Sequence, residues 1–456
     1  MADPRIVIVG AGPAGTRAAE TLVAAGLRPI VVNEAAASGG QIYRRQPPGF
    51  TRSAETLYGT EASRATAVHA TFDGLVGKIE YRPETLAWNV QDGALHILHG
   101  VQASRLPFDA LIIATGATDR VMPLPGWTLP GVYSLGASQI ALKAQGCAIG
   151  RRVAFMGTGP LLYLVASQYV KAGAAVVAVL DTSPLSARLR ALPLMAARPD
   201  VLLKGVGVML RLRRAGVPIH LGITPVAIEG DGEVALLRAT AANGTALEIA
   251  CDAVGIGYHL RSETQLADLA GCTLAFDAAS HQWLPVLDQD GRASVAGIYL
   301  AGDGGRILGA DGAETAGKLA AYAALADLGR TVPDADIEKL RSSQRRMDRF
   351  RRGLAIAFPW PAHLAAALPD ETLVCRCEAI TAGELRHVAT ALDAPEVNRA
   401  KAFSRVGMGR CQGRYCGLAG AEIVAAARGV GVEQVGRLRG QAPVRPLPIA
   451  ARVDGA

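Results

Sequence analysis

Apolar positions fall in short blocks separated by glycine-rich punctuation. Residues 5–9 are a β-branched run that meets a glycine cluster, an Ala-rich stretch with helical spacing and a second apolar run ending at Glu34. That order reads as strand, tight turn, helix and strand. It returns about 147 residues later, with a strand at 153–156, a glycine turn, an apolar helix and a strand at 175–180. Between the two copies lie hairpin-like alternation at 87–98 and an apolar strand at 108–114 that closes on Thr115-Gly116. A Pro- and Gly-rich crossing follows at 121–135. A strand at 297–300 leads into Ala301-Gly302-Asp303, with a helix expected from about Gly312-Ala313 to Leu328.

These patterns predict an α/β chain with an internal repeat of two nucleotide-binding starts. The boundaries read as 1–120 and 256–330 for one domain and its return segment, with 121–255 inserted between them as a second domain. Residues 331–370 form a connector with a basic helix at 345–352, read as a solvated face. A compact cysteine-bearing domain spans 371–430, and 431–456 is an extended Pro- and Arg-rich tail lying on another surface.

Composition narrows the function classes. The chain has 456 residues, half of them hydrophobic, which is ample for buried sheets. The formal net charge of +7 is spread among 47 basic and 40 acidic residues, and aromatics are 5%. A nucleic-acid-binding protein would concentrate its charge and interleave aromatics, so none is expected as a partner. No apolar run reaches the roughly 18 residues of a membrane span. With no leader-like pattern at Met1, a cytoplasmic, soluble protein is expected. Seven cysteines in a reducing compartment point to metal ligands or free thiols.

The first glycine cluster is Gly10-Ala11-Gly12-Pro13-Ala14-Gly15. Gly10 permits the turn, Gly12 lets backbone approach a pyrophosphate, and Gly15 lets helix and strand pack closely. The helix N-terminus offers free N–H groups to phosphates, and Glu34 ends the next strand where a carboxylate can hold ribose hydroxyls. Thr115-Gly116 and Gly302-Asp303, each after a strand, favour FAD over NAD. Asp303 would meet a ribityl chain, and the helix near Gly312 and Ala313 would point its N-terminus at the flavin. The second cluster, Gly157-Thr158-Gly159-Pro160-Leu161-Leu162, lacks the third glycine, and Leu162 should hold helix and strand further apart. Asp181 ends the following strand as a ribose-binding acid would, and it disfavours a 2′-phosphate. Either an adenine-nucleotide site or a structural relic fits.

Cys375-Arg376-Cys377 is followed after 33 residues by Cys411-Gln412-Gly413-Arg414-Tyr415-Cys416. Two thiolate pairs can wrap a [2Fe-2S] cluster. Structural zinc competes, although zinc ribbons prefer wider spacing than C-x-C. Cys147, Cys251 and Cys272 have no partner spacing and read as small buried hydrophobes. His259 and His281 are isolated and read as structural, so no catalytic acid or base is assigned.

Gly39-Gly40-Gln41-Ile42-Tyr43-Arg44, the second glycine cluster and Gly409-Arg410-Cys411-Gln412-Gly413-Arg414-Tyr415-Cys416-Gly417 stand together in one chain. Together they resemble the A (alpha) subunits of opine dehydrogenases and oxidases. The alpha subunit of dye-linked proline or hydroxyproline dehydrogenases and the B subunit of hydrogen cyanide synthase are similar. The cysteine segment resembles bacterioferritin-associated-ferredoxin-type domains. The resemblance implies a two-dinucleotide-domain flavoprotein, glutathione/thioredoxin-reductase-like, with a small C-terminal [2Fe-2S] domain. Gly10, Gly12, Gly15, Glu34, Gln41, Thr115 and Asp303 would map to the dinucleotide site, beside Gly40 and Gly116. Cys375, Cys377, Cys411 and Cys416 would map to the cluster. A D-amino-acid-oxidase-like beta subunit and a small third subunit are implied as partners. So are FMN at a subunit interface and ATP or NAD in the second fold. The expected role is electron transfer out of a beta-subunit flavin. A self-sufficient NAD(P)H-dependent reductase and a non-enzymatic redox sensor are the alternatives.

Overall fold

The computed structural model describes residues 3–453. Its first sheet is parallel throughout, in the order Ile298–Leu300, Ala110–Ile113, Ile6–Val9, Ile30–Val32, Glu80–Arg82. The inner strands are buried on both faces, which explains their unbroken β-branched runs. The helices Pro13–Ala24 and Gly309–Asp327 pack on one face, with small residues between them. Antiparallel strands Thr85–Gln91, Ala94–His99 and Gln102–Pro107 cover the other, through a core that includes Val7, Leu95 and Ile113.

The inserted domain repeats the plan, with parallel order Ile219–Leu221, Ala175–Asp181, Arg152–Thr158, Ala253–Tyr258, Val132–Ser134. The chain crosses between domains twice, and the crossings pair antiparallel as Ala117–Asp119 with Leu260–Ser262. A two-stranded hinge of this kind ties the domains at the point where the connections enter and leave.

The basic segment at 345–352 lies within the helix Asp334–Ala357. Its inner face is less solvated than expected. Phe350, Ala357 and Phe358 join the core of the inserted domain, and Arg351 pairs with Asp277 and Asp348 at 2.8 and 3.1 Å. Helices Ala382–Thr390, Val397–Ser404 and Cys416–Arg428 form the cysteine-bearing unit. Its core takes in Met122 and Tyr258 of the preceding domain. The chain beyond it runs back across the first domain. Val444 enters that domain's core, and Arg452–Val453 adds a parallel strand to Gln102–Pro107. Among the described residues no helix is long and apolar enough to cross a membrane.

Candidate functional site

The first glycine turn is set by close backbone approach. Gly10 has φ +108°, and its N–H donates to the Val32 carbonyl at 2.7 Å. A methyl group added at Gly15 would overlap the Gly10 carbonyl oxygen, so the helix can sit this close only without a side chain there. Gly12 and Gly40 pack backbone to backbone. Pro13 opens the helix after Gly12, with no side-chain cap, which leaves the first-turn N–H groups facing the turn. Ala14 and Gly15 are buried in that turn. Asn33, unremarked in the sequence, accepts from the Ala11 N–H at 3.1 Å and donates to the Ala35 carbonyl at 2.6 Å. Beside it Glu34 is exposed, paired with Arg445 of the tail at 3.2 Å. Gln41 accepts from Arg44 at 2.6 Å on the other rim.

Thr115 and Gly116 close the central strand end. The Thr115 hydroxyl donates to the Glu263 carbonyl at 2.8 Å. Asp303 Oδ1 accepts from the N–H groups of Leu308 and Gly309 at 2.9 and 3.2 Å. Burial raises its carboxyl above the ordinary range, and the two N–H donors pull it back. The following helix starts at Gly309, three residues earlier than expected, because Asp303 ties down the backbone before it. Gly312 and Ala313 therefore lie buried within its first turns, and Ala313 rests against Gly302. The glycine cradle, the free helix N-terminus and the rim carboxylate fit a dinucleotide, so Gly10, Gly12, Gly15, Gly40 and Glu34 would hold FAD.

Lys143 also reaches this region. Only 3% exposed, it donates to the Ile42 carbonyl at 3.1 Å, and burial with the neighbouring Arg44 pushes its ammonium down to about 8. It sits on the inserted domain, a hundred residues from the segment it touches, and no local pattern flags it.

The second glycine turn is lined by protein. Gly157 (φ +143°) packs against Gly257, and the His259 ring lies against Gly159. Leu162 is fully buried in the domain core. Asp181 is also fully buried. It accepts from the Tyr163 hydroxyl at 2.6 Å, Arg188 at 2.6 Å and the Ser183 N–H at 2.7 Å. The Arg188 guanidinium lies over the rings of Tyr163 and Phe358, and the Phe358 carbonyl pairs with His259 Nε2 at 2.9 Å. Burial pushes the His259 imidazole down to about 4. The Asp181 carboxylate is thus engaged within the protein, and the connector residue Phe358 packs on the His259 ring that lies against the turn.

The four cysteines converge. Cys416 is electrostatically coupled to both Cys375 and Cys411, and Cys411 to Cys377. The Cys416 interaction, opposed by burial and assisted by backbone N–H groups, brings the Cys375 thiol down to about 6. The same interaction brings Cys411 down to about 5, while Cys416 itself is raised well above its ordinary value. Cys375 and Cys416 are buried, Cys411 is half-buried and Cys377 is exposed. Among the described residues no group of three or more His, Cys, Asp or Glu is placed so that it could hold a metal ion. The soft sulfur donors, with the Gly407, Gly413 and Tyr415 N–H groups turned toward them, fit the chemistry of a thiolate-held cluster. Of the other cysteines, Cys251 and Cys272 are buried as expected, but Cys147 is exposed, because it falls on the turn after the helix Leu135–Ala144.

Residues without any sequence signature join the two regions. Arg414, inside the cysteine loop, pairs with Glu263 at 2.6 Å, and both are nearly buried. The Glu263 N–H donates to the Gly116 carbonyl at 3.0 Å. Arg261 donates to the carbonyls of Gly413 and Arg414 at 3.3 and 3.1 Å, and Gln265 to that of Gln412 at 2.7 Å. His281 is not isolated: it meets Glu422 at 2.5 Å, and Trp360 donates to the same carboxylate oxygen at 3.0 Å.

Comparison with known proteins agrees with this architecture. Residues 4–318 match the model of the pyridine nucleotide-disulphide oxidoreductase family, and residues 371–455 match the sarcosine oxidase A3 domain. The chain is 39% identical to the A subunit of opine oxidase from Agrobacterium tumefaciens (strain Ach5), over 98% of this chain and 90% of that protein. It is 29% identical to the HcnB subunit of hydrogen cyanide synthase from Pseudomonas aeruginosa, over 98% of each. L-Proline dehydrogenase from P. horikoshii shares the fold, with a TM-score of 0.70 and 20% identity, covering 98% of this chain and 79% of that one. With two dinucleotide folds in one chain and this likeness along its length, the protein is a flavin oxidoreductase that belongs to the pyridine nucleotide-disulphide oxidoreductase family, among the relatives of the opine oxidase A subunits.

Proposed function

We propose that this chain is the FAD- and [2Fe-2S]-containing electron-transfer subunit of a hetero-oligomeric opine or amino-acid dehydrogenase. It would take electrons from a flavin on a D-amino-acid-oxidase-like beta subunit. The observation that carries the reading is Glu263, which touches the end of the central strand of the first sheet through Gly116 and Thr115 and the cysteine loop through Arg414. A flavin handles an electron pair and a two-iron cluster handles single electrons, so the two together convert between the regimes. The chain's own residues supply the rest. The glycine cradle fixes the dinucleotide, Asp303 holds the turn beside it, and Arg261 and Arg414 place buried positive charge behind the cysteine loop. Four cysteines in two close pairs offer two thiolates to each of two irons.

The names of the relatives support a subunit role: three of them are A subunits of opine oxidases. A small third subunit, FMN at a subunit interface and a nucleotide in the second fold belong to the same reading. With Asp181 spent on Tyr163 and Arg188, the ribose of either ATP or NAD would have to be held by other groups there.

The test is co-expression with a beta subunit, followed by flavin, iron and sulfide counts and opine-dependent dye reduction. The reading requires activity in the pair and none in the chain alone, with about two irons and two sulfides in this chain. Rapid bleaching of the isolated chain by NADH would favour the self-sufficient reductase instead.

A further inference from the structure

Two consecutive helices of the inserted domain are patterned for burial on faces that the chain leaves bare. In Leu185–Met195 the inward residues are Ala187, Ala191 and Met195, and the outward ones are Leu185, Leu189 and Leu192. Large side chains outside and small ones inside reverse the pattern of a solvent-facing helix. Pro199–Arg214 is apolar on opposite faces. Val201, Val208 and Leu212 pack with the core of the inserted domain, while Leu203, Val206 and Leu210, spaced i, i+3 and i+7, are exposed. A helix that is apolar all round belongs between two layers, and this one has a single layer.

The six outward side chains are 44–69% exposed. Residues 196–198 join the helices, and Arg188 of the first meets the Met209 sulfur of the second at 3.8 Å, so the two stripes lie side by side. A monomer seldom exposes an apolar patch beyond about 300–600 Å², and a larger one marks an interaction site. Six half-exposed Leu and Val side chains on neighbouring helices reach that range. Charge narrows the occupant. Residues 185–214 carry seven basic side chains and one acid, Asp200, which Arg198 takes through bonds of 2.8 and 2.6 Å. Arg190, Arg213 and Arg214 are exposed and have no carboxylate partner among the described residues. A two-fold pairing with a second copy of this chain would set that positive face against itself. Arg198 and Lys204 tie the second helix to Asp311 and Glu61 of the first domain at 2.9 and 2.8 Å. The face therefore runs on to the edge of the first domain, which a subunit that delivers electrons to its flavin has to approach.

We propose, on the hetero-oligomeric reading above, that this two-helix face seats the beta subunit, which meets it with an apolar surface rimmed by carboxylates. The leucines supply the centre that excludes water, and Arg190, Arg213 and Arg214 supply the charged rim. A stable interface takes about 800 Å² from each partner, so the contact extends beyond the stripes onto the adjoining flank of the first domain.

Co-expression of the full chain with the beta subunit tests this, read by co-elution and by the dissociation constant of the pair. Leu189→Asp combined with Leu203→Asp should weaken the pair by about a hundredfold or more, while the chain alone keeps its flavin content and melts no lower than the parent. Arg190→Glu combined with Arg213→Glu should weaken it less and flatten its dependence on salt. Val76→Asp, which places the same charge on an exposed valine of the first domain, should leave the pair at parent strength. A parent pair that both double variants leave intact sinks the docking face and spares the hetero-oligomer, whereas no pair at all with the parent sinks both. Self-association of the chain alone that the double leucine variant abolishes would assign the face to a second copy. Flotation with phosphatidylglycerol vesicles that the same variant abolishes would assign it to an anionic lipid surface, and either result overturns the proposal.

Discussion

Arg414 in the cysteine loop and Glu263 at the domain crossing form an ion pair of 2.6 Å between side chains that are 10% and 11% exposed. The pair is a three-body arrangement. Burial works against charge on Glu263, yet Arg414 and Arg261 together hold its carboxyl below the ordinary range. Removing one partner of a buried pair strands the other, typically at a cost of about 3–5 kcal/mol. Glu263→Gln leaves two buried guanidiniums facing each other, so it should destabilise more than Arg414→Met, which leaves Glu263 with Arg261. Denaturant unfolding of the two variants checks the order. Equal losses would mean that Arg261 is not coupled to the pair. Because the folded carboxyl is depressed, this stabilisation is present above the unfolded carboxylate range. It should fade as pH falls through the lower folded value.

The pair also marks where sequence reading stopped. Both dinucleotide starts were legible because the turn imposes its glycines locally and the strands are buried on both faces. The four cysteines stood out because they fall in two close pairs along the chain. Glu263 and Arg414 are 151 residues apart, and charged residues in a Gly- or Thr-containing context carry no spacing signal. Asp181 stood at the expected end of its strand, but only the fold brings Tyr163 and Arg188 onto its oxygens. The basic helix read as a solvated face because its charges are contiguous in sequence. Its burial depends on the helix Leu185–Met195, whose Met195 packs against Gly353.

Lys143 should give the protein an unusual alkaline stability profile. Its ammonium is depressed to about 8 from an ordinary value of 10.5. Between those values the folded chain has lost the proton and the unfolded chain has kept it, so stability rises with pH across that window. The penalty is complete below about pH 8, on the order of 3 kcal/mol for a shift of this size. Lys143→Met should remove the slope and stabilise the flavin-free protein at about pH 7, with the advantage shrinking toward pH 10.5. Urea titrations at about pH 7, 8.5 and 10 on both proteins measure this. A parallel pair of profiles would place the lysine in a better-solvated site.

On the proposed cluster reading, cysteine variants should divide by position. Cys375→Ser and Cys416→Ser replace the two buried sulfurs and should abolish iron and sulfide together. Cys147→Ser changes an exposed thiol with no partner in the loop and should leave both at parent levels. Iron and labile-sulfide assays on anaerobically purified proteins, with visible absorbance, report the outcome. Zinc at one atom per chain in the parent, lost on the same substitutions, would replace the two-iron assignment with a structural site.

Two glycines offer the sharpest contrast, since one substitution should act with opposite sign at each. Gly15 is helical with ordinary φ, so alanine there meets no backbone strain. Its methyl group would nonetheless overlap the Gly10 carbonyl oxygen, which belongs to the rigid turn and cannot step aside. Helix and strand must then separate, and the N–H groups that face the turn lose their position. Gly15→Ala should therefore cost several kcal/mol and leave the purified protein largely free of flavin. Gly74, near the end of the helix Ala62–Leu75, also has ordinary φ, and a methyl group there would meet open space. Alanine at that position gains helix propensity and restricts the unfolded chain, a stabilisation of about 0.4–1 kcal/mol. Thermal melts and the flavin-to-protein absorbance ratio of the two variants, made side by side, separate steric exclusion at the turn from a general effect of glycine loss. Full flavin content in Gly15→Ala would mean the helix can shift without disturbing the cradle.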